Sequence, residues 1–451
     1  MIKINGIILL YFSVLNLVCC LNSNFCKSAY ILYSPQSTKR YKAPFRRWNS
    51  PQNNNNLSDL RKDQKSTEDV YNENVARQSD LKNFAKDIND NVYIETNRRE
   101  RRIKRNRHLR SLYSNNSIRM SNFIYPMFIH EEDAPKKETQ LDGIHTYSVD
   151  GIVKEIEECL QLNIHHFMFF PVVKEEKKTT YCSECYNESS YFCNAINKIK
   201  QKFKDQIVIY VDVALDPYNI YGHDGIYDER EGEILNDVTV HTLVKQALCL
   251  AKCGADVVCP SDSMDNRIEQ IRKNLDFHNF RNVLILSYTC KYSSCLYKPF
   301  RSILNSNIHK NVVKNKQSYQ HDFNAYFDLN HVEKHIAEGA DILMVKPSLF
   351  YLDVVSRIRS RMDKHATVPL AVYNVSGEYM MIKNYVKQLN AHINYENEIL
   401  TELFKSYLRS GANIIISYFA KQYGLYLKDL YDRNVDVDDD LNSNFNVELT
   451  L

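Results

Sequence analysis

Eight short apolar runs alternate with longer stretches that carry apolar residues at helical spacing, and this alternation constrains the fold most. The helical period is clear at residues 152–162, 238–252 and 398–410. Short strands separated by helices predict a parallel sheet, and eight such units favour an α/β fold of the (β/α)8 TIM-barrel type over a doubly wound sheet. The runs are residues 123–129, 166–172, 207–215, 255–261, 283–288, 341–346, 370–375 and 414–419.

The pair Gly-Ala precedes three of these runs, at residues 254–255, 339–340 and 411–412. Glycine is favoured just past the end of a helix, so the pair predicts a helix end that leads into a buried strand. The sequence contains neither G-x-G-x-x-G nor G-x-x-x-x-G-K-[ST]. A dinucleotide-binding or P-loop fold therefore has no support.

The first 95 residues have the composition of a two-part leader. Residues 1–29 combine Lys3 with an apolar stretch that is short for a membrane span, as in a secretory signal peptide. Residues 30–95 begin basic and acid-free, contain four consecutive asparagines and predict a disordered, transit-peptide-like segment. We expect import into a plastid of the apicoplast type through the secretory pathway. An uncleaved anchor and a disordered extension of a secreted protein are the alternatives.

A basic stretch at residues 98–110 lies in a segment, residues 96–121, that precedes the first apolar run. Such a stretch is typical of a nucleic-acid patch or of an arm that docks on another subunit. We favour the arm and expect no nucleic-acid partner, because aromatic interleaving is absent and the net charge is only +3 over 451 residues. The barrel is expected at residues 122–430, followed by an acidic tail at 431–451.

Lys346 ends one run and Lys291 lies just beyond the neighbouring run, at the edge where barrels place their catalytic groups. A free lysine has a pKa of about 10.4, but burial and a second nearby ammonium lower that pKa. Two such lysines predict two Schiff bases and the joining of two keto substrates. The alternative is one lysine that clamps a phosphate or carboxylate and one at the surface. Other polar residues at predicted strand ends are Asp212, Asp216, Ser261, Asp262, Ser287, Tyr288, Ser376, Ser417 and Tyr418.

The motifs around these residues resemble the 5-aminolevulinate dehydratase (porphobilinogen synthase) family, in order from about residue 102 to 428. They are EGADILMVKPSLFYLDVV at 338–355, DVALDPY at 212–218, GHDG at 222–225, PSDSMD at 260–265, SYTCK at 287–291, YKPFR at 297–301, VSGE at 375–378 and ISYF at 416–419. The resemblance implies a barrel with an N-terminal extended arm, usually a homo-octamer. It also implies a lyase that condenses two 5-aminolevulinate molecules to porphobilinogen, with loss of two waters, in haem and tetrapyrrole biosynthesis.

Site residues carry over from the family by position. Lys346 would form a Schiff base with the substrate that supplies the propionate side, and Lys291 with the one that supplies the acetate side. Ser376 and Tyr418 would bind the first carboxylate. Arg301, Lys316 and Gln320 would bind the second carboxylate, with Asp212, Ser261, Tyr297 and Phe300 as further substrate contacts.

The resemblance also raises a metal question. Where one branch of the family binds catalytic zinc through three cysteines, this sequence has Ala214, Asp216 and Asp224. Carboxylates suit magnesium and thiolates suit zinc, so this looks like the plant-type, magnesium-responsive branch and zinc is not expected. Ala214 provides no ligand. The two aspartates either bind hydrated magnesium or act on protons without a metal.

Two further features bear on metals. The family's allosteric magnesium glutamate is His331 here, with Glu333 two residues on as a substitute ligand. Cys182 and Cys185, with Cys193 nearby, could indicate zinc, but no second C-x-x-C accompanies them, and we interpret this stretch as a variable loop.

Two other functions stay open at this stage. One is a class I aldolase-type barrel acting on another keto acid, although an aldolase needs only one imine. The other is a catalytically weakened homologue with an assembly role. Its support is Lys298, which replaces the family's usual glycine beside the site.

Overall fold

Eight parallel strands close into a barrel in the computed structural model, which describes residues 100–112, 116–307, 316–324, 329–362, 367–389, 393–435 and 437. The strands in chain order are β1 (Phe123–Ile129), β2 (Lys136–Glu138), β3 (His145–Tyr147), β4 (His166–Pro171), β5 (Val208–Val213), β6 (Tyr227–Asp228), β7 (Glu233–Ile234), β8 (Val257–Pro260), β9 (Leu284–Lys291), β10 (Ile342–Lys346), β11 (Leu370–Asn374) and β12 (Ile414–Ser417). The barrel order is β1-β4-β5-β8-β9-β10-β11-β12, and β12 pairs with β1 to close it.

Helices follow most barrel strands and cover the outside of the barrel. They are α1 (Arg101–Lys104), α2 (Arg107–Ser111), α3 (Val149–Leu160), α4 (Tyr191–Phe203), α5 (Asn236–Cys253), α6 (Arg267–Phe277), α7 (Lys298–Ile303), α8 (Asn330–Ala337), α9 (Leu352–Arg361), α10 (Ser376–Gln388), α11 (Ile393–Arg409) and α12 (Ala420–Asp432). A (β/α)8 TIM barrel is therefore confirmed, and each predicted apolar run overlaps a barrel strand.

One predicted strand end is wrong. The run at 283–288 was expected to end at Ser287 and Tyr288, with Lys291 beyond it, but β9 continues to Lys291. The strand continues because its pairing with β10 extends to the last residue of both strands. Ser287 and Tyr288 are consequently buried inside the barrel wall, where the Ser287 hydroxyl lies 2.7 Å from Nδ1 of His335.

The three Gly-Ala pairs stand at helix ends, as predicted, because Gly254, Gly339 and Gly411 have φ of +107°, +100° and +109°. The residue after each pair, Asp256, Asp341 or Asn413, then ties its strand to the preceding one. For example, Asp341 Oδ2 accepts a 2.7 Å hydrogen bond from the Ile285 N–H, and the Asp341 N–H donates to the Ile285 carbonyl.

The same two-bond ring joins Asp256 to Ile209 and Asn413 to Leu370. Each ring pairs a backbone N–H at the start of a barrel strand that would otherwise lack an acceptor there. Three strand pairs, β5–β8, β9–β10 and β11–β12, are fixed in this way at the end of the barrel opposite the two lysines.

The segments outside the barrel are only partly described. Helices α1 and α2 belong to the predicted arm, and Ile103 and Leu112 on it expose 46% and 76% of their surface. The predicted signal peptide and leader, residues 1–95, and the tail beyond residue 437 lie outside the described residues. Within the described ranges, every helix is too short or too polar to span a bilayer.

Replacing Asp341 tests the strand-tying ring. Asp341→Ala leaves the buried Ile285 N–H without its side-chain acceptor, so we expect a loss of about 1–3 kcal/mol of stability. Asp341→Asn keeps an amide oxygen, as Asn413 does naturally, and should lose much less. Urea unfolding midpoints of the two variants measure this, and equal midpoints would contradict the proposed role of the ring.

Candidate active site

The register of β9 on β10 places the two lysines side by side. Lys291 and Lys346 are direct partners at the carboxyl ends of these parallel strands. Both are buried, with 7% and 6% of their surface exposed. The backbone beyond them is held as well, because the Tyr292 N–H and the Tyr297 hydroxyl donate to the Lys346 carbonyl at 2.9 and 3.0 Å.

An aromatic box surrounds the Lys346 ammonium. Burial, followed by the charge of Lys291, lowers the pKa of Lys346 to about 7, although nearby aspartates oppose the shift. A substantial fraction of Lys346 is therefore a neutral amine near pH 7. The box consists of Tyr373, Tyr288, Phe300 and Tyr297, whose ring centroids lie 4.2, 5.1, 5.2 and 5.3 Å from Nζ.

Lys291 has a more polar environment than Lys346. Its Nζ donates to the Ser261 carbonyl and lies 3.7 Å from Asp224 Oδ1. The two ammonium groups thus differ in their partners: Lys346 lies among rings, and Lys291 lies between a carbonyl and a carboxylate.

The surroundings shift the pKa values of the three site aspartates in different directions: that of Asp224 is lowered, and those of Asp212 and Asp216 are raised. Asp224 receives hydrogen bonds from Lys316 at 3.1 Å and Gln320 at 3.0 Å. Burial opposes its ionisation, but Lys291, Lys316 and Arg301 together hold its pKa well below the usual range.

Burial has the opposite net effect on the other two carboxyls. It raises the pKa of Asp212 to about 7, with Lys346 opposing, and it also raises the pKa of Asp216. Asp212 Oδ1 has no hydrogen-bond partner among the described residues. The site therefore contains one firmly ionised carboxylate and one carboxyl suited to exchange a proton near neutral pH.

A single narrow cavity brings most of the predicted site residues together. Its lining adds Phe170, which sequence reasoning missed although it lies at the carboxyl end of a predicted strand. The predicted residues that line it are Asp212, Asp216, Asp224, Ser261, Lys291, Tyr297, Phe300, Arg301, Lys316, Gln320 and Lys346.

Ser376 and Tyr418 lie behind the cavity lining. The Ser376 hydroxyl donates to the Leu296 carbonyl at 3.2 Å and accepts from the Phe300 N–H at 3.1 Å. The Tyr418 hydroxyl lies 3.3 Å from that of Tyr373. Both residues therefore contact residues of the aromatic box, and neither lines the cavity.

Glu378 supports the turn that follows Lys346 and was not predicted as a site residue. Its carboxylate accepts from the backbone N–H groups of Ser348, Leu349 and Val375 at 3.1, 2.6 and 2.8 Å. Burial raises the pKa of Glu378 to about 7, although these hydrogen bonds oppose the shift. In the sequence, Glu378 is visible only as the last residue of the VSGE motif, and the motif does not indicate which N–H groups the carboxylate binds.

The aspartates do not form a convincing metal site. Both oxygens of Asp224 already accept from Lys316 and Gln320, and Lys291 lies close by, so a divalent cation there would meet two ammonium groups. Ala214 offers no side-chain ligand. Across the described ranges, neither Asp216 nor Asp224 belongs to a group of three His, Cys, Asp or Glu side chains close enough to share an ion.

Glu333 and Lys298 both lie away from the cavity. Glu333 is exposed on α8 and pairs with Arg361 at 3.2 Å, so its neighbour is a cation and not a further acidic ligand. Lys298 is exposed at the start of α7 and does not line the cavity. The position of Lys298 thus gives no support to the alternative of a catalytically weakened homologue.

Adjacent buried lysines at the strand ends of a (β/α)8 barrel, with cationic and amide groups around them, define a Schiff-base-forming enzyme that handles anionic carbonyl compounds. Residues 97–425 match the family model described as delta-aminolevulinic acid dehydratase. The chain belongs to the delta-aminolevulinic acid dehydratase family.

Individual relatives agree with the family match. The chain is 40% identical over 333 residues to delta-aminolevulinic acid dehydratase 1, chloroplastic, of Arabidopsis thaliana, covering 73% of this chain and 74% of that protein. It is 40% identical over 318 residues to the chloroplastic enzyme of Pisum sativum, covering 70% and 76%. A crystal structure of the Toxoplasma gondii ME49 enzyme, in complex with its reaction product porphobilinogen, superposes with a TM-score of 0.70 at 38% identity, covering 76% and 95%.

The aromatic box around Lys346 makes a testable prediction about its pKa. Competitive acylation across pH, mapped by peptide mass spectrometry, should show Lys346 becoming reactive as pH rises through about 7. Tyr373→Ala admits water beside Nζ, so the transition should move to higher pH. Exposed Lys298 is the internal control and should not respond to the substitution. A Lys346 transition that stays in place in the variant would contradict this account.

Proposed function

We infer that the chain condenses two molecules of 5-aminolevulinate to porphobilinogen, with release of two waters, as a lyase of porphyrin biosynthesis. The observation that carries this inference is the pair of adjacent buried lysines in one cavity. One lysine would serve an aldolase-type reaction, whereas joining two keto substrates uses two.

The first steps are two imine formations. The neutral amine of Lys346 attacks the keto carbon of one substrate, and the adduct loses water to give an imine. The aromatic box favours this step because it keeps Nζ poorly solvated and lowers its pKa. Lys291 reacts in the same way with the second substrate, so the two waters of the overall reaction leave at this stage.

Bond formation follows from the properties of an iminium, which makes its own carbon electrophilic and the neighbouring carbon acidic. Loss of a proton beside one iminium gives an enamine that attacks the other iminium carbon, and this forms the C–C bond. An amino group of the substrates then attacks the remaining iminium carbon and forms the C–N bond. Both carbon–lysine bonds break as the new ring loses protons from carbon and nitrogen, so each lysine returns as a free amine and the aromatic pyrrole is left. Asp212 is the group best suited to accept a proton, because its pKa is near 7 and Oδ1 is unpaired among the described residues.

The substrate carboxylates are proposed to bind on opposite sides of the lysine pair. Arg301, Lys316 and Gln320 line the cavity and supply a guanidinium, an ammonium and an amide for the acetate-side carboxylate. Lys316 and Gln320 would give up their hydrogen bonds to Asp224 and donate to the substrate carboxylate instead. Ser376 and Tyr418 would take the propionate-side carboxylate on Lys346 once Phe300 moves aside.

Removal of Lys346 tests the reaction. In Lys346→Ala we expect porphobilinogen formation to fall by several orders of magnitude, because no other group replaces the imine. In the unsubstituted chain, borohydride with 5-aminolevulinate should label Lys346 and Lys291. Lys298→Ala is the matched control and should turn over normally. Substantial turnover by Lys346→Ala would refute the mechanism, and labelling confined to one lysine would favour the aldolase-type alternative.

We propose that Asp216 and Asp224 act on lysines and protons and do not hold a catalytic magnesium ion. The support is the cationic surroundings of Asp224 and the absent ligand at Ala214. Turnover should therefore survive exhaustive chelation and should not rise when magnesium is restored. A loss on chelation that magnesium reverses would instead assign hydrated magnesium to the aspartates.

We also propose a plastid location and a homo-octamer. The leader composition and the chloroplastic names of the relatives support the location, and import of a fluorescent fusion of residues 1–95 would test it. The exposed apolar residues Ile103 and Leu112 support an arm that docks on a neighbouring subunit. Light scattering of the chain with and without residues 96–121 would test that assembly.

A further inference from the structure

Three buried thiols from two helices converge outside the lysine cavity. Cys193 lies on α4, and Cys249 and Cys253 lie on α5. The sulfur atoms of Cys193 and Cys249 are 3.4 Å apart, and all three lie within 4.8 Å of one another. No other group of three His, Cys, Asp or Glu side chains in the described ranges is this close.

Helix geometry explains why these three thiols lie close together. Cys249 and Cys253 are four residues apart, so they share one face of α5, which packs on α4. Cys193 lies in the first turn of α4, three residues after the N-cap Ser190, where the helix dipole favours a thiolate. Sequence reasoning paired Cys193 with Cys182 and Cys185 and missed the Cys249/Cys253 spacing.

We propose that Cys193, Cys249 and Cys253 bind a thiophilic d¹⁰ metal ion, with zinc(II) as the representative. Zn–S bonds of about 2.3 Å in a tetrahedron separate the sulfurs by roughly 3.8 Å, so the present spacing needs only small adjustments. Thiolates without carboxylates select zinc or copper(I) over magnesium. The fourth position is open to water or to a further thiol, since Cys185 lies in the 3₁₀ helix Ser183–Tyr186 that also packs on α5.

This site would be structural, because it is separate from the lysines yet linked to their scaffold. One turn before Cys249, Gln246 donates a 3.1 Å hydrogen bond to the Ala214 carbonyl, just past the end of β5. An ion that joins α4 to α5 would therefore hold the helix on which this part of the active-site wall rests. It supplies no group to the cavity, and the inference does not depend on the proposed reaction.

Metal titration of the reduced, metal-free full-length chain tests the site. We expect one cobalt(II) per chain with thiolate-to-cobalt charge-transfer absorption, its loss when zinc(II) is added, and a higher Tm with zinc. Cys249→Ser should lose the absorption and the Tm shift. Cys253→Ser, at the end of α5, is the second variant should Cys249→Ser fail to fold. Cys159→Ser, at an equally buried cysteine on α3, is the matched control and should retain both signals.

Two outcomes would overturn the proposal. One is the absence of stoichiometric cobalt or zinc binding in the reduced chain, including the case where peptide mapping of unreduced protein finds a Cys193–Cys249 disulfide. The other is binding that persists unchanged in Cys249→Ser and Cys253→Ser, since the ion would then lie elsewhere. Turnover that is the same with and without zinc fits a structural role, provided that the Tm shift is present.

Discussion

The pairing of β9 with β10, whose register shifts by one residue between Leu343 and Val345, is the interaction on which the active site depends. It sets Lys291 and Lys346 side by side at the carboxyl end of the barrel. The pair is needed to lower the pKa of Lys346 to about 7, because both burial and the charge of Lys291 contribute to that shift. A shift of one strand by a single residue would turn one lysine to the opposite face of the barrel wall. The register is therefore a catalytic requirement as well as a structural one.

Hydrogen bonds at both ends of β10 hold this strand in place. At the amino end, Asp341 exchanges two hydrogen bonds with Ile285 and fixes β10 against β9. At the carboxyl end, the Glu378 carboxylate accepts hydrogen bonds from the backbone N–H groups of Ser348 and Leu349. These bonds fix the chain where it leaves the barrel after Lys346. In such barrels, residues at the amino ends of the strands mainly stabilise the fold, and catalytic residues lie at the carboxyl ends. Glu378 shows that a carboxylate with a structural role can also lie at the carboxyl end.

The sequence was sufficient to predict the barrel because short apolar runs and apolar residues at helical spacing are local patterns, and each of the eight runs proved to overlap a strand. The proximity of the two lysines was predictable as well, because the carboxyl ends of all strands in a barrel meet at one edge. Tyr373 and Tyr288 were not predicted as neighbours of Lys346, because which side chains surround a group depends on strand tilt and register. Glu378 and the Cys193 cluster were missed because both depend on contacts between elements far apart in sequence.

Charge balance explains how the site can work on anionic substrates with its own residues. Lys291, Lys316 and Arg301 together keep Asp224 ionised in a buried position where it would otherwise be protonated. Asp224 in turn compensates the charge of these cations, and we propose that a substrate carboxylate replaces it as their partner. A divalent ion would add positive charge to a group that already has an excess of it. We therefore propose an aspartate that releases its cations to the substrate and does not ligate a metal.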